Sequence, residues 1–188
     1  MLFRKDHKKR EFESEALPHI DELYRTAVRL LNGNREGASD LVQDAFAQAW
    51  KSFDRYEKRT NCRAWLYSIL MNKAKHYHRR AATRKVIPLS DHSDENVLDN
   101  LEGKIIRPET IRDEEILDAL NRLSGEFREV ILLADVQEFA YREVAEILEI
   151  PIGTVMSRLS RARASLREAL LHYAKEYGIN TVRVKKTE

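Results

Sequence analysis

The chain has 188 residues, 43% hydrophobic and 34% charged, with Lys+Arg 33 against Asp+Glu 31, a globular composition that excludes disorder throughout. Gly 6 and Pro 4 make up roughly 5% of it, too few breakers for an all-β fold, which leaves a mostly helical chain as the expectation. The single cysteine, Cys62, rules out an intramolecular disulfide and a four-cysteine zinc site. The charged start Met1–Arg10 and the absence of any apolar run near the roughly 20 residues that span a bilayer predict a cytoplasmic protein with no membrane span.

A tail over residues 1–16 carries no reading. Ile20, Leu23, Tyr24, Ala27, Leu30 and Leu31 predict a first helix from about His19, ended by the Asn32-Gly33 break. Ala38, Leu41, Val42, Ala45, Phe46, Ala49, Trp50 and Phe53 form one continuous stripe on a 3.6-residue period, so a long amphipathic helix follows. Its outer face carries Asp40, Gln43, Asp44, Ala47, Gln48 and Lys51. After the turn Asp54–Asn61 comes a third helix, with Trp65, Leu66, Ile69, Leu70, Ala74 and Tyr77 apolar. These helices make a first domain over residues 17–86.

Charge is distributed in opposed blocks. Arg59–Lys85 holds eight Lys or Arg and no acid, whereas Val86–Asp118 holds ten acids against three bases. The segment Pro88–Pro108 lacks helical periodicity and reads as a mobile acidic linker, residues 87–111. A second domain spans residues 112–172, with short patterns at Ile116–Leu123, Phe127–Ala134 and Val144–Leu148, then a longer one to about Leu171. A tail, residues 173–188, closes the chain, and Tyr173 and Tyr177 in it are candidates to extend the last helix. The expected fold class is all-α: a three-to-four-helix bundle and a smaller helical domain.

Two constellations carry chemistry. Tyr141–Arg167 reads as helix, turn (Ile150-Pro151-Ile152-Gly153) and helix, with Thr154 as a candidate N-cap and four Arg but no acid on the second helix. Such a helix fits a B-DNA major groove, where Arg donates to guanine edges and Ser serves either partner. The other is the third helix of the first domain. Asn72, His76 and Arg79 recur at i, i+4 and i+7 beside Lys73 and Arg80, with Tyr67 interleaved, a platform suited to unpaired nucleic acid. Trp65 is read as core. Three plainer readings stand beside these: a stand-alone helix-turn-helix dimer on a palindromic site, a nucleic-acid enzyme with a metal pair at His76 and His78, and a solvated helical hairpin. An x-separated histidine pair points to different faces of a helix and no carboxylate completes a metal site. Cys62 reads as a small loop residue rather than a nucleophile, because no base partner is evident.

Asp40-Leu41-Val42-Gln43-Asp44-Ala45-Phe46, Ala64-Trp65-Leu66-Tyr67, Asn72-Lys73-Ala74-Lys75 and Tyr141-Arg142-Glu143-Val144-Ala145-Glu146-Ile147-Leu148, followed by Pro151, Gly153-Thr154-Val155 and Ser157-Arg158, stand in order at family-like spacing. The sequence resembles the extracytoplasmic-function (ECF) sigma factors of bacterial RNA polymerase. The resemblance implies a region 2 domain and a region 4 helix-turn-helix domain that bind core polymerase and promoter DNA, with no catalytic residues, metal or cofactor. It places Asp40, Gln43, Asp44 and Gln48 on the clamp helices of the largest polymerase subunit, and the second domain beside the flap of the second-largest. It assigns Thr60, Asn61, Cys62 and Arg63 to a pocket for a base flipped from the minus-ten element, with Tyr67, Asn72, Lys73, His76, Arg79 and Arg80 along the same strand. It assigns Thr154, Met156, Ser157, Arg158, Ser160 and Arg161 to the minus-thirty-five element. Met156 and Ser160 depart from the larger polar or aromatic readers common in relatives, so no DNA sequence preference carries over. Family members are often restrained by an anti-sigma protein.

No phosphate-binding G-x-x-x-x-G-K-[ST] loop appears. Parting DNA costs about 1.4 kcal/mol per stacked step, and a base stacked on an aromatic ring returns about 1 to 3 kcal/mol. The chain alone can capture a flipped base; a bubble needs a larger partner.

Overall fold

A computed structural model describes residues 2–57, 61–84 and 113–176, with side chains placed over 7–57, 61–79 and 117–170. The predicted acidic linker, Thr60, and the side chain of Arg80 lie outside the described residues. Every regular element among the described residues is helical.

Helix α1, Leu2–Ala16, runs into a 3-10 turn at Leu17–His19 and then α2, Ile20–Leu30. Asn32 (φ 57°) and Gly33 (φ 86°) both take left-handed backbone, and the Gly33 N–H donates to the Val28 carbonyl at 2.9 Å, which closes the helix as the Asn-Gly pair predicts. Asn34 then caps α3, Arg35–Ser52, its side chain accepting from the Gly37 N–H at 2.8 Å. Helix α4, Cys62–Arg84, packs against both α2 and α3. At the α3–α4 crossing a Cβ on Gly37 would stand 2.7 Å from the Tyr77 hydroxyl, so a glycine permits the close approach.

The N-terminal segment expected as a tail is instead part of this bundle. Phe12 is buried, with its ring edge-on to Phe46, Trp50 and Phe53 at centroid distances of 6.3, 5.3 and 5.2 Å. The Lys8 ammonium bonds Asp54 at 2.6 Å and lies over Trp50. Eight residues separate Phe12 from the nearest large apolar residue before it in sequence, Phe3, and all of them, Arg4–Glu11, are charged or histidine, so no stripe marks the docking for periodicity to read.

The C-terminal body comprises α5 (Asp113–Asn121), α6 (Gly125–Ile131) continuing through a π turn at Leu132–Val136, α7 (Tyr141–Leu148) and α8 (Ile152–Glu176). Glu149 ends α7 in left-handed conformation, φ 56°. The Pro151 carbonyl accepts from the N–H groups of Thr154 and Val155, so α8 begins at Ile152 and Thr154 lies inside its first turn rather than at the N-cap. Buried Val155, Leu159 and Ala162 hold α8 onto the body.

The two bodies pack directly on one another through α4 and α7 and through α2 against α5 and α6. Their buried side chains form a single cluster. Arg128, 6% exposed, crosses the joint. Its guanidinium donates to the carbonyls of Leu120, Asn121 and Leu123 at the end of α5, to the carbonyl of Leu30 at the end of α2, and to the Asn32 side chain. The partial negative charge of two helix C-termini stands in for a carboxylate.

Candidate nucleic-acid and polymerase interface

Helix α3 buries Ala38, Leu41, Val42, Ala45 and Ala49, which leaves Asp40, Gln43 and Asp44 exposed and Gln48 half-buried along the opposite side, as its period predicts. Asp44 and Gln48 also line a groove between α3 and α4, with Ile69, Asn72, Lys73, His76 and Tyr77 on its other wall. The acidic face and the strand platform therefore meet along one groove. His76 and Arg79 are exposed, with Arg79 Nη2 3.0 Å from His76 Nδ1. Among the described residues no group of three or more His, Cys, Asp or Glu is placed to hold a metal ion.

The N-terminal end of α4 differs from its sequence reading. Tyr67 is fully buried, and its hydroxyl lies 3.1 Å from Thr26 Oγ1. Burial pushes the phenol up to about 12. A ring so enclosed cannot stack on a base in this conformation. Tyr67 stands three, four and seven residues before Leu70, Met71 and Ala74, all buried, so its place on the core face was legible from spacing. Trp65, read as core, is half-buried and packs against the core, its ring 4.8 Å from Tyr56 and 6.3 Å from Phe53. Cys62 is half-buried, and burial, reinforced by Glu15, pushes its thiol up to about 11 against the opposing hydrogen bond of Tyr56.

Arg63 faces the other body. Its Nε donates to both carboxylate oxygens of Glu22 at 3.0 Å, its Nη2 donates to Gln137 Oε1 at 2.7 Å, and its guanidinium stands 4.2 Å from the centre of the Phe139 ring. Asn61 caps α4, accepting from the Ala64 N–H, while its amide donates to Glu143 of α7 at 2.7 Å. Sequence reasoning missed Thr26, Arg128, Gln137 and Phe139.

On α8, Met156 is 55% exposed, and Ser157, Ser160 and Arg161 are exposed with it, whereas Thr154 is half-buried. Arg158, expected on the reading face, bonds Glu126 at the start of α6 at 2.8 Å. Arg163 is held by Asp135 and Tyr141, which raise its already high pKa further. The free width of the helix is thus narrower than four arginines imply.

Residues 17–84 match the family Sigma-70 region 2, and residues 113–166 match Sigma-70, region 4. EcfG, an ECF RNA polymerase sigma factor of Rhodopseudomonas palustris (strain TIE-1), is 33% identical over 79% of this chain and 80% of its own length. The chain belongs to the ECF RNA polymerase sigma factors. SigE of Mycolicibacterium smegmatis, another member, is 30% identical over 84% of this chain, which spans 61% of that longer protein. Among solved structures, the sigma factor RpoE of Bartonella quintana, in complex with the anti-sigma factor NepR, superposes with a TM-score of 0.70 at 30% identity, covering 86% of this chain and 97% of that one. As a sigma factor, the chain directs RNA polymerase in transcription initiation, and no described helix is long and apolar enough to cross a membrane.

Proposed function

We propose that this sigma factor divides its work among three surfaces. The exposed side of α3, with Asp40, Gln43, Asp44 and Gln48, docks on the clamp helices of the largest polymerase subunit. The groove beside it, with Asn72, Lys73, His76 and Arg79, tracks the minus-ten strand as it parts, and Asn61 and Arg63 receive a flipped base. The α8 face at Met156, Ser157, Ser160 and Arg161 enters the major groove of the minus-thirty-five element. The observation that carries this division is the shared groove, where Asp44 and Gln48 of the α3 face stand on one wall and Asn72, Lys73 and His76 on the other.

The chain has no chemistry of its own in this account. It acts where polymerase acts, in the cytoplasm, and the strand separation it begins is completed by the larger enzyme. RpoE was solved with an anti-sigma factor, which supports an anti-sigma partner for this chain as well. The test is footprinting of the reconstituted holoenzyme on a promoter it transcribes. Two dissimilar protected boxes are expected; one palindromic site would return the stand-alone helix-turn-helix reading.

A further inference from the structure

The closed packing treats the three surfaces unequally. The α3 acids and the α8 readers are open to solvent, but at the start of α4 the Arg63 side chain, 27% exposed, lies against the C-terminal body beside the still exposed Asn61. The segment after the π turn supplies the cover. Glu138, at φ 56°, turns the chain between Gln137 and Phe139, both of which are buried. Gln137 Oε1 accepts from Arg63, while Gln137 Nε2 donates to Thr26 Oγ1 at 3.1 Å. Phe139 lies under the Arg63 guanidinium and edge-on to Tyr67, ring centroids 5.0 Å apart. Glu143 takes the Asn61 amide.

An amide offering a donor and an acceptor side by side, followed by a flat ring beneath a guanidinium, reproduces what an unstacked base offers: a hydrogen-bonding edge and a π face. Glu143 supplies an anionic oxygen where a phosphate would. We propose that Gln137, Phe139 and Glu143 are an internal stand-in for the minus-ten strand, so that the free sigma factor closes its own strand pocket while leaving its polymerase and minus-thirty-five surfaces open. This rests on the assignment of Asn61 and Arg63 to the strand. Opening is reversible in physical terms. Arg128 gives up only the Leu30 and Asn32 oxygens of the first body and keeps three carbonyls of its own. Arg63 keeps Glu22. The buried charges are therefore not stranded when the bodies part.

If the closed form exceeds the open one by about tenfold, the affinity of the free chain for single strands is lowered by about the same factor. The experiment uses the full chain and a fluorescein-labelled 15-nucleotide single-stranded DNA of random sequence, followed by anisotropy. Gln137→Ala and Gln137→Ala/Phe139→Ala are expected to bind at least about fivefold tighter than the parent, and adding Arg63→Ala is expected to abolish the gain. Unchanged affinity in variants that retain parental helicity by circular dichroism overturns the stand-in, as does a gain that survives Arg63→Ala. Gln137→Ala removes only two hydrogen bonds and decides the matter should the double variant lose helicity. Holoenzyme carrying Arg63→Ala separates the two claims: loss of promoter opening upholds the strand assignment whatever the free chain does, and unimpaired opening removes that assignment and the stand-in with it.

Discussion

Asp44 and Arg161 are both exposed, and each lies on a different one of the proposed surfaces. Asp44→Arg reverses charge on the polymerase-facing side of α3 without touching the buried stripe, and the expected result is lost co-elution with core enzyme at unchanged helicity. Arg161→Ala is expected to weaken upstream-box protection and, if the lost contact is to phosphate, to lower the magnitude of the salt slope of binding by about 0.9. Cys62 answers a third question, that of packing. Its thiol, pushed from the usual 9.0 up to about 11, leaves the folded protein with about a hundredfold less thiolate near pH 8 than a free cysteine. Alkylation by iodoacetamide is therefore slow until the fold opens, and a rate equal to that of the denatured chain contradicts the packing. The unfolded thiol ionises first as pH rises, so this group's contribution to stability is whole below pH 9 and is lost as pH climbs through about 11.

At the level of the helices, period and punctuation were good guides. Asn32-Gly33 ends α2, and the apolar stripe of α3 is the buried side except at Trp50, which is 40% exposed. These features are local, each set by residues within a turn or two of one another. What period could not show was α1, anchored chiefly by Phe12, or the π turn that aims Gln137 and Phe139 at α4. The α1 anchor predicts that Phe12→Ala, removing a ring that is 7% exposed, costs about 3 to 5 kcal/mol in urea unfolding of the full chain. A loss below about 1 kcal/mol would place α1 outside the cooperative core.

On the scale of the whole molecule, the division into two helical bodies was readable from the opposed charge blocks, and the family pattern located both. Their mutual packing was not. Thr26 and Gln137 are 111 residues apart, and Arg128 reaches Leu30 across 98. All three contributors of polar side chains are types that mostly sit at surfaces, so no local pattern marks them as a joint. Tyr67 differs from these: its spacing to Leu70, Met71 and Ala74 already marked the core face of α4, and only the part of its enclosure that Phe139 supplies comes from the other body. Of the three proposed surfaces, only the Arg63 end of the second lies against the C-terminal body, through Gln137 and Phe139.

The most direct measurement of that account is transcription by purified core polymerase plus this chain from a library of random promoters, with start sites and upstream sequence read together. Productive templates are expected to share two dissimilar boxes at fixed separation, with the downstream box requiring Arg63 and the upstream box requiring Arg161. Productive templates that share one inverted repeat, or that are indifferent to both substitutions, would contradict it.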